Sequence, residues 1–175
     1  KKPLVVPTMS YIGDLEKKLK KKKVPKPVQR FIEEHVKAGK RFLLFVPRIT
    51  LLDSIEVALR RQFPNAKFET VSSKEIYRQE RIAQMRAGKL DFLVTTTILE
   101  RGVTFPGVDV CVVNAHEEEF SREVLVQIAG RVGRTAECPT GEVVYFHNGK
   151  TKAMVQAVRE IEDLNRQALL GRKHE

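Results

Sequence analysis

Apolar and polar residues fall in blocks along this chain, and the period of each block predicts an element. Val28, Phe31, Ile32, His35 and Val36 recur at helical spacing over residues 27–38. Pro27 suits the first helical position and Gly39 is a natural stop. Residues 41–46 are almost wholly apolar, as in a strand buried on both faces. Thr50, with Asp53 three positions on, predicts a capped helix running to Gln62. A second strand is expected over Lys67–Val71, then a helix over 74–87 capped by Ser73 and ended by Gly88. Residues 90–96 and Val108–Val113 read as the third and fourth strands, and 121–132 as a helix. Glu142–Phe146 reads as the fifth strand. Val155, Val158, Ile161 and Leu164 mark a last helix over about 150–169. Buried strands alternating with helices predict an α/β fold, a parallel sheet flanked by helices on both faces.

The first 27 residues break this pattern. Pro3 and Pro7 argue for extended chain over residues 1–12. Residues 14–23 read as a short helix carrying Lys17, Lys18, Lys20, Lys21, Lys22 and Lys23. The division expected is a basic linker, 1–27, arriving from a preceding domain, and one domain, 28–175. The first residue is not Met, which points to a piece of a longer protein.

Composition sharpens the picture at three points. The net charge of +10 favours an anionic partner, for which nucleic acid is the usual candidate. The lysine run is then either a strip for phosphates or a solubilising stretch. Tryptophan is absent and aromatics are 7%, so contacts to nucleic acid should run to the backbone rather than through stacked bases. Two cysteines, Cys111 and Cys138, are too few for a zinc site or a disulfide framework and fit a reducing cytosol; Cys111 reads as core. His116 with Glu117, Glu118 and Glu119 reads as a surface loop rather than a metal site. No apolar run approaches the roughly 20 residues that span a bilayer.

Two segments carry candidate chemistry. In Gln127-Ile128-Ala129-Gly130-Arg131-Val132-Gly133-Arg134 two arginines stand three apart, each after a glycine. On a helix they share a face, and two convergent guanidinium forks suit a phosphate. The plainer reading is an amphipathic helix with solvated arginines. The second segment, Thr95 to Thr104, follows the apolar run Phe92-Leu93-Val94, and open α/β sheets bind ligands beyond the carboxyl ends of their strands.

Together these segments resemble motifs V and VI of superfamily 2 helicases. Phe45-Val46-Pro47-Arg48 resembles motif IV, and Ser72-Ser73-Lys74 the loop that lies near the nucleic-acid backbone. The resemblance implies the second, RecA-like lobe of a nucleic-acid-dependent ATPase. It implies catalytic roles for Gln127, Arg131 and Arg134 at the γ-phosphate across the cleft between lobes. Gly102, Glu100 and Thr104 are implied at the nucleotide. Thr96, Ser72, Lys74 and the strip Lys20, Lys21, Lys22 and Lys23 are implied at nucleic acid. Thr97 stands where many relatives carry an aspartate, so the ribose contact is not carried over. The chain has neither a Gly-x-x-x-x-Gly-Lys-Ser/Thr phosphate loop nor an Asp-Glu box. ATP and Mg2+ would therefore be bound mainly by a first lobe, and none by this chain alone.

The wording Ile98 to Pro106 with Gln127 to Arg134 looks like the ComFA family, late-competence ATPases of Gram-positive bacteria. That implies a cytoplasmic motor, peripheral at the inner face of the membrane, drawing single-stranded DNA into the cell during transformation. Implied partners are single-stranded DNA, the N-terminal RecA-like lobe of the same protein, other competence proteins and further copies in an oligomer. Family members also carry an N-terminal four-cysteine zinc module. Two alternatives stand beside it: a PriA-like primosomal helicase lobe, which usually brings cysteine-rich insertions absent here, and a non-catalytic nucleic-acid-binding or docking module.

Overall fold

A computed structural model of the chain describes residues 4–74, 76–96, 105–133 and 141–173. Six parallel strands form one sheet in the order β1-β8-β6-β2-β4-β3. They are β1 (Thr8–Tyr11), β2 (Phe42–Phe45), β3 (Phe68–Val71), β4 (Phe92–Thr95), β6 (Asp109–Val113) and β8 (Val143–His147). A separate two-stranded ladder pairs β5 (Phe105–Pro106) with β7 (Val132–Gly133). The helices are α1 (Leu15–Lys20), α2 (Lys26–Ala38), α3 (Ile49–Gln62), α4 (Arg78–Arg86), α5 (Arg122–Ala129) and α6 (Lys152–Lys173). Among the described residues no helix is long and apolar enough to cross a membrane.

Strand residues alternate between two cores. Leu43, Phe45, Val110, Val112 and Tyr145 face α4, α5 and α6, burying Ile82, Met85, Leu125, Ile128, Met154 and Ile161 with them. Phe42, Leu44, Cys111, Val113 and Phe146 face α1, α2 and α3, with Leu15, Leu19, Phe31, Ile32, Ile55 and Leu59. The strands β2, β4, β6 and β8 are thus buried on both sides, the mark of a covered parallel sheet. The register places Phe42, Phe92 and Phe68 side by side, and their rings stack at 4.7 Å in both steps. Arg60 lies over the last of them, 4.1 Å from its centroid.

Residues 4–27 are bound into this architecture. Strand β1 pairs with β8, Thr8 opposite Val144 and Tyr11 opposite His147. Asp14 caps α1 by accepting from the Lys17 amide at 3.2 Å. Leu15, Leu19 and Val24 are buried, and the Val24 amide donates to Gln62 Oε1 at 2.7 Å.

Three helix starts or ends differ from the pattern. Thr50 is not a cap: α3 begins at Ile49, with Arg48 extended before it and no side-chain capping bond. The Leu51 and Leu52 amides bond the Arg48 carbonyl, both at 3.1 Å, because burying these two leucines draws the first turn onto the sheet. Ser73 does not open α4, which begins at Arg78. Lys74, Ile76 and Tyr77 are exposed, and a turn without an apolar face gains nothing from packing. Finally, α5 ends at Ala129, and Arg131 lies beyond it. Its neighbour Val132 pairs with Phe105 instead, so Arg131 is not on the helical face that its spacing from Arg134 suggested.

Candidate functional site

Because every strand runs the same way, their carboxyl ends share one edge, where loops and the starts of helices gather. Read across the sheet, that edge presents Asp14 and Glu16 after β1, Asn148 after β8, Asn114 and Glu117 after β6, Arg48 after β2, Thr96 after β4 and Ser72 after β3. Ser72 and Thr96, expected at nucleic acid, follow neighbouring strands. Ser72 is half-buried, Lys74 exposed and Thr96 buried.

Arg48 is the hub of the edge. Its guanidinium donates to Glu16 Oε1 at 2.8 Å and pairs with Glu117. Glu117 also accepts from Asn114 Nδ2 at 2.7 Å. Asn114 has a left-handed backbone, φ 59°, which places Glu117 back over it: the Glu117 amide bonds the Asn114 carbonyl at 3.0 Å. Arg48 therefore ties α1 to the loop that leads into α5. Sequence reading assigned Glu117 to a surface loop and missed this pairing, whose partners stand 69 positions apart. His116 accepts from the Asn148 amide at 3.0 Å, and burial holds its pKa below the ordinary value.

Two arginines of α4 have a structural part. Arg81 donates to the Thr70 carbonyl at 2.7 Å and Arg78 to the Ser72 carbonyl at 3.4 Å. They fasten α4 to the end of β3 and hold the Ser72 loop.

Ser121 caps α5, accepting from the Val124 amide at 3.2 Å. Tyr145 reaches from β8 to bond the Leu125 carbonyl at 2.9 Å, and burial pushes its phenol well above the usual range. Gln127 is exposed on the last turn of α5. The Arg131 amide closes that turn on the Ile128 carbonyl at 3.0 Å. Its side chain is half-buried, and desolvation lowers its pKa. Arg134, Gly102, Glu100 and Thr104 lie outside the described residues.

The position of Arg131 depends on a close approach. A Cβ at Gly141 would collide with Val132 and stand 3.0 Å from Val5 Cγ2. Gly141→Ala must therefore push β7 away, and overpacking of this kind costs roughly 1–3 kcal/mol. Urea unfolding of the variant should show that loss; an unchanged midpoint would mean that β7 gives way freely.

At the amino end of the sheet His35, Asp109 and Glu142 bring their ligand atoms within 4.8 Å of one another. His35 Nε2 meets Asp109 Oδ2 at 2.9 Å, and Nδ1 faces the Phe31 carbonyl at 2.8 Å. Lys40 Nζ stands 3.5 Å from the same Asp109 oxygen. With both ring nitrogens turned to acceptors and an ammonium alongside, this is an ion-pair network, not a vacant metal cage.

The helicase conserved C-terminal domain model matches residues 23–136. The chain is 42% identical over 165 residues to the competence protein ComFA of Bacillus subtilis, covering 94% of this chain and 35% of the relative. It is 39% identical over 166 residues to ComFA of Streptococcus pneumoniae, covering 95% and 38%. The chain thus spans a little over a third of the length of these relatives. Among solved structures it is similar to RecG bound to a three-way DNA junction, with a TM-score of 0.65 at 18% identity, over 91% of this chain and 20% of that one. The six-stranded parallel sheet is that of a RecA-like helicase lobe, and the chain belongs to the helicase conserved C-terminal domain family.

Proposed function

We propose that this chain is the second motor lobe of a ComFA-type, ATP-dependent translocase or helicase that moves single-stranded DNA during uptake for natural transformation. The near end-to-end match to two competence proteins carries this reading. The geometry supports it: Ser72 and Thr96 follow the adjacent strands β3 and β4 on one edge, and hydroxyls there suit a phosphate backbone. Lys74 and the exposed Lys20, Lys21, Lys22 and Lys23 add charge on the same molecule.

The residues present fit half of an ATP site. Arg131 and Gln127 stand at the end of α5, and Arg134, Gly102, Glu100 and Thr104 complete the set in sequence. No phosphate loop accompanies them. The N-terminal lobe of the same protein would hold ATP and Mg2+, whose phosphoryl transfer supplies the free energy. This lobe's arginines would bind and orient the outer phosphate. Residues 1–27 would be the basic lead-in from that lobe, its part from Thr8 to Lys20 carrying β1 and α1. Other competence proteins and further copies of the chain are the remaining proposed partners, at the cytoplasmic face of the membrane.

ATP hydrolysis by the full-length protein, with and without single-stranded DNA and beside this chain alone, tests the reading. Stimulation by DNA in the full-length protein and silence in the chain is the expected result. A full-length protein without ATPase would leave a nucleic-acid-binding or docking module instead.

A further inference from the structure

Helix α1, the turn after it and helix α3 enclose a groove in which Lys20, Lys22 and Arg48 are joined by residues given no role above. Lys20, Lys22, Arg48, Thr50, Ser54 and Val57 line a volume of about 430 Å³. Past Lys22 and Val57 it continues between Lys22, Glu56, Arg60 and Arg61. One end opens at Arg48, on the carboxyl edge of the sheet; the other reaches the last turn of α3. From Thr50 to Arg61 that is roughly 17 Å of helix axis.

The walls differ from the floor. Leu19 and Leu51 are buried beneath the groove and Val57 is 52% exposed along it. Thr50 and Ser54 offer hydroxyls from α3, and Lys20 of α1 and Lys22 of the turn after it line the same groove. Both carboxylates are already engaged, Glu16 by Arg48 at 2.8 Å and Glu56 by Arg60 at 3.0 Å. The charge left to an incoming ligand is that of Lys20, Lys22 and Arg61. Lys22 has a left-handed backbone, φ 56°, which costs a side-chain-bearing residue about 1–2 kcal/mol relative to a glycine. At that cost a lysine lines both halves of the groove.

We propose that this groove is a track for the phosphate backbone of a single nucleic-acid strand, continuing the strand's path from the carboxyl edge past Arg48. The proposal rests on the nucleic-acid reading above and adds Thr50, Ser54 and Arg61 to the contact surface. Hydroxyls beside cations suit phosphate oxygens. The aliphatic floor offers no aromatic ring for a base, so the track holds the strand without regard to sequence. Continuity with Arg48 favours nucleic acid over an acidic peptide.

The test measures binding of oligothymidines of about six and about twenty nucleotides to the full-length protein, across a salt series. In one variant Lys20→Glu is combined with Arg61→Glu. It should lose roughly tenfold in affinity for the long oligomer and have a salt slope shallower by about 1.4, two contacts at about 0.7 each. The short oligomer, held at the carboxyl edge, should change less than about twofold. A second variant, Lys22→Gly, keeps the fold by relieving the backbone, so its melting temperature should hold or rise while long-oligomer binding still weakens. Unchanged long-oligomer affinity and slope in both variants would overturn the track. So would polyglutamate binding that both variants lose while DNA binding persists, which would assign the groove to a protein partner. Failure of the unaltered protein to bind either oligomer would remove the nucleic-acid reading and the track with it.

Discussion

Asp109→Ala is expected to destabilise the domain by about 3–5 kcal/mol, the usual cost of removing one partner from a buried charge pair. The carboxylate joins three elements. It accepts from His35 of α2 at 2.9 Å and, through its other oxygen, from the Glu142 amide before β8 at 3.0 Å. Asp109 itself opens β6, its amide bonding the Arg41 carbonyl beside β2 at 3.0 Å. Alanine leaves a histidine at 7% side-chain exposure facing an empty place. For a domain of this size the melting temperature should fall by roughly 6–20 °C. A fall of under about 1 kcal/mol in urea unfolding would show that water or Glu142 replaces the lost carboxylate.

The same network predicts a pH dependence. Burial pulls the pKa of His35 down, but the bonds to Asp109 and the Phe31 carbonyl, with the charges of Asp109 and Glu142, outweigh it and leave the value raised. A raised folded pKa means that the folded state binds the proton more tightly than the unfolded chain. The stabilisation is complete below the unfolded value of 6.5 and is lost as pH rises through the folded one. Stability from this group should therefore fall from pH 6 toward higher pH. Asp109→Asn, which keeps the shape but not the charge, should flatten that slope.

His35 also shows what the sequence could convey about the fold. Its helical spacing with Phe31 and Ile32 placed it correctly on the buried face of α2, yet its partner stands 74 positions away and nothing local names it. The strands β2, β4, β6 and β8 were legible for a simple reason: each is apolar on both faces, so no register error could hide it. Strand β1, at the border of the sheet with the polar Thr8 and Ser10, read only as extended chain. Helix ends were legible where a local device sets them, as Gly39 does with its left-handed φ of 68°. Arg48, bonded to Glu16 and Glu117, and Val132, paired with Phe105, take their places from distant residues. The starts of α3 and α4 and the end of α5 therefore moved. For the site, a parallel sheet fixes Ser72 and Thr96 on one edge once the strands are known. The clasp of Glu16, Arg48 and Glu117 on that edge depends on three separate segments meeting, and no spacing encodes that.

The largest functional effect is expected at the arginines after α5. In the full-length protein Arg131→Ala and Arg134→Ala should each lower DNA-stimulated ATP hydrolysis by roughly 10³–10⁵, the range for an arginine that stabilises charge on a transferring phosphoryl group. The backbone contacts around Arg131 are ones that alanine retains: its amide still closes on Ile128 at 3.0 Å, and Val132 still pairs with Phe105. Melting temperature and DNA affinity should therefore stay near those of the unaltered protein. Arg131→Lys keeps the charge but not the planar fork, so it should recover little of the rate. If the arginine acts chiefly in the transition state, kcat and kcat/KM fall together; an arginine that only holds ATP raises KM and spares kcat. Hydrolysis within about tenfold of the unaltered rate in both alanine variants, with stability intact, would remove these residues from the reaction. Gln127, exposed one turn earlier, gives a graded comparison. A neutral amide forms weaker bonds than a charged fork, so Gln127→Ala should cost less than either arginine. The order of the three losses then separates bond strength at the phosphate from a general disturbance of the end of α5, which would affect all three alike.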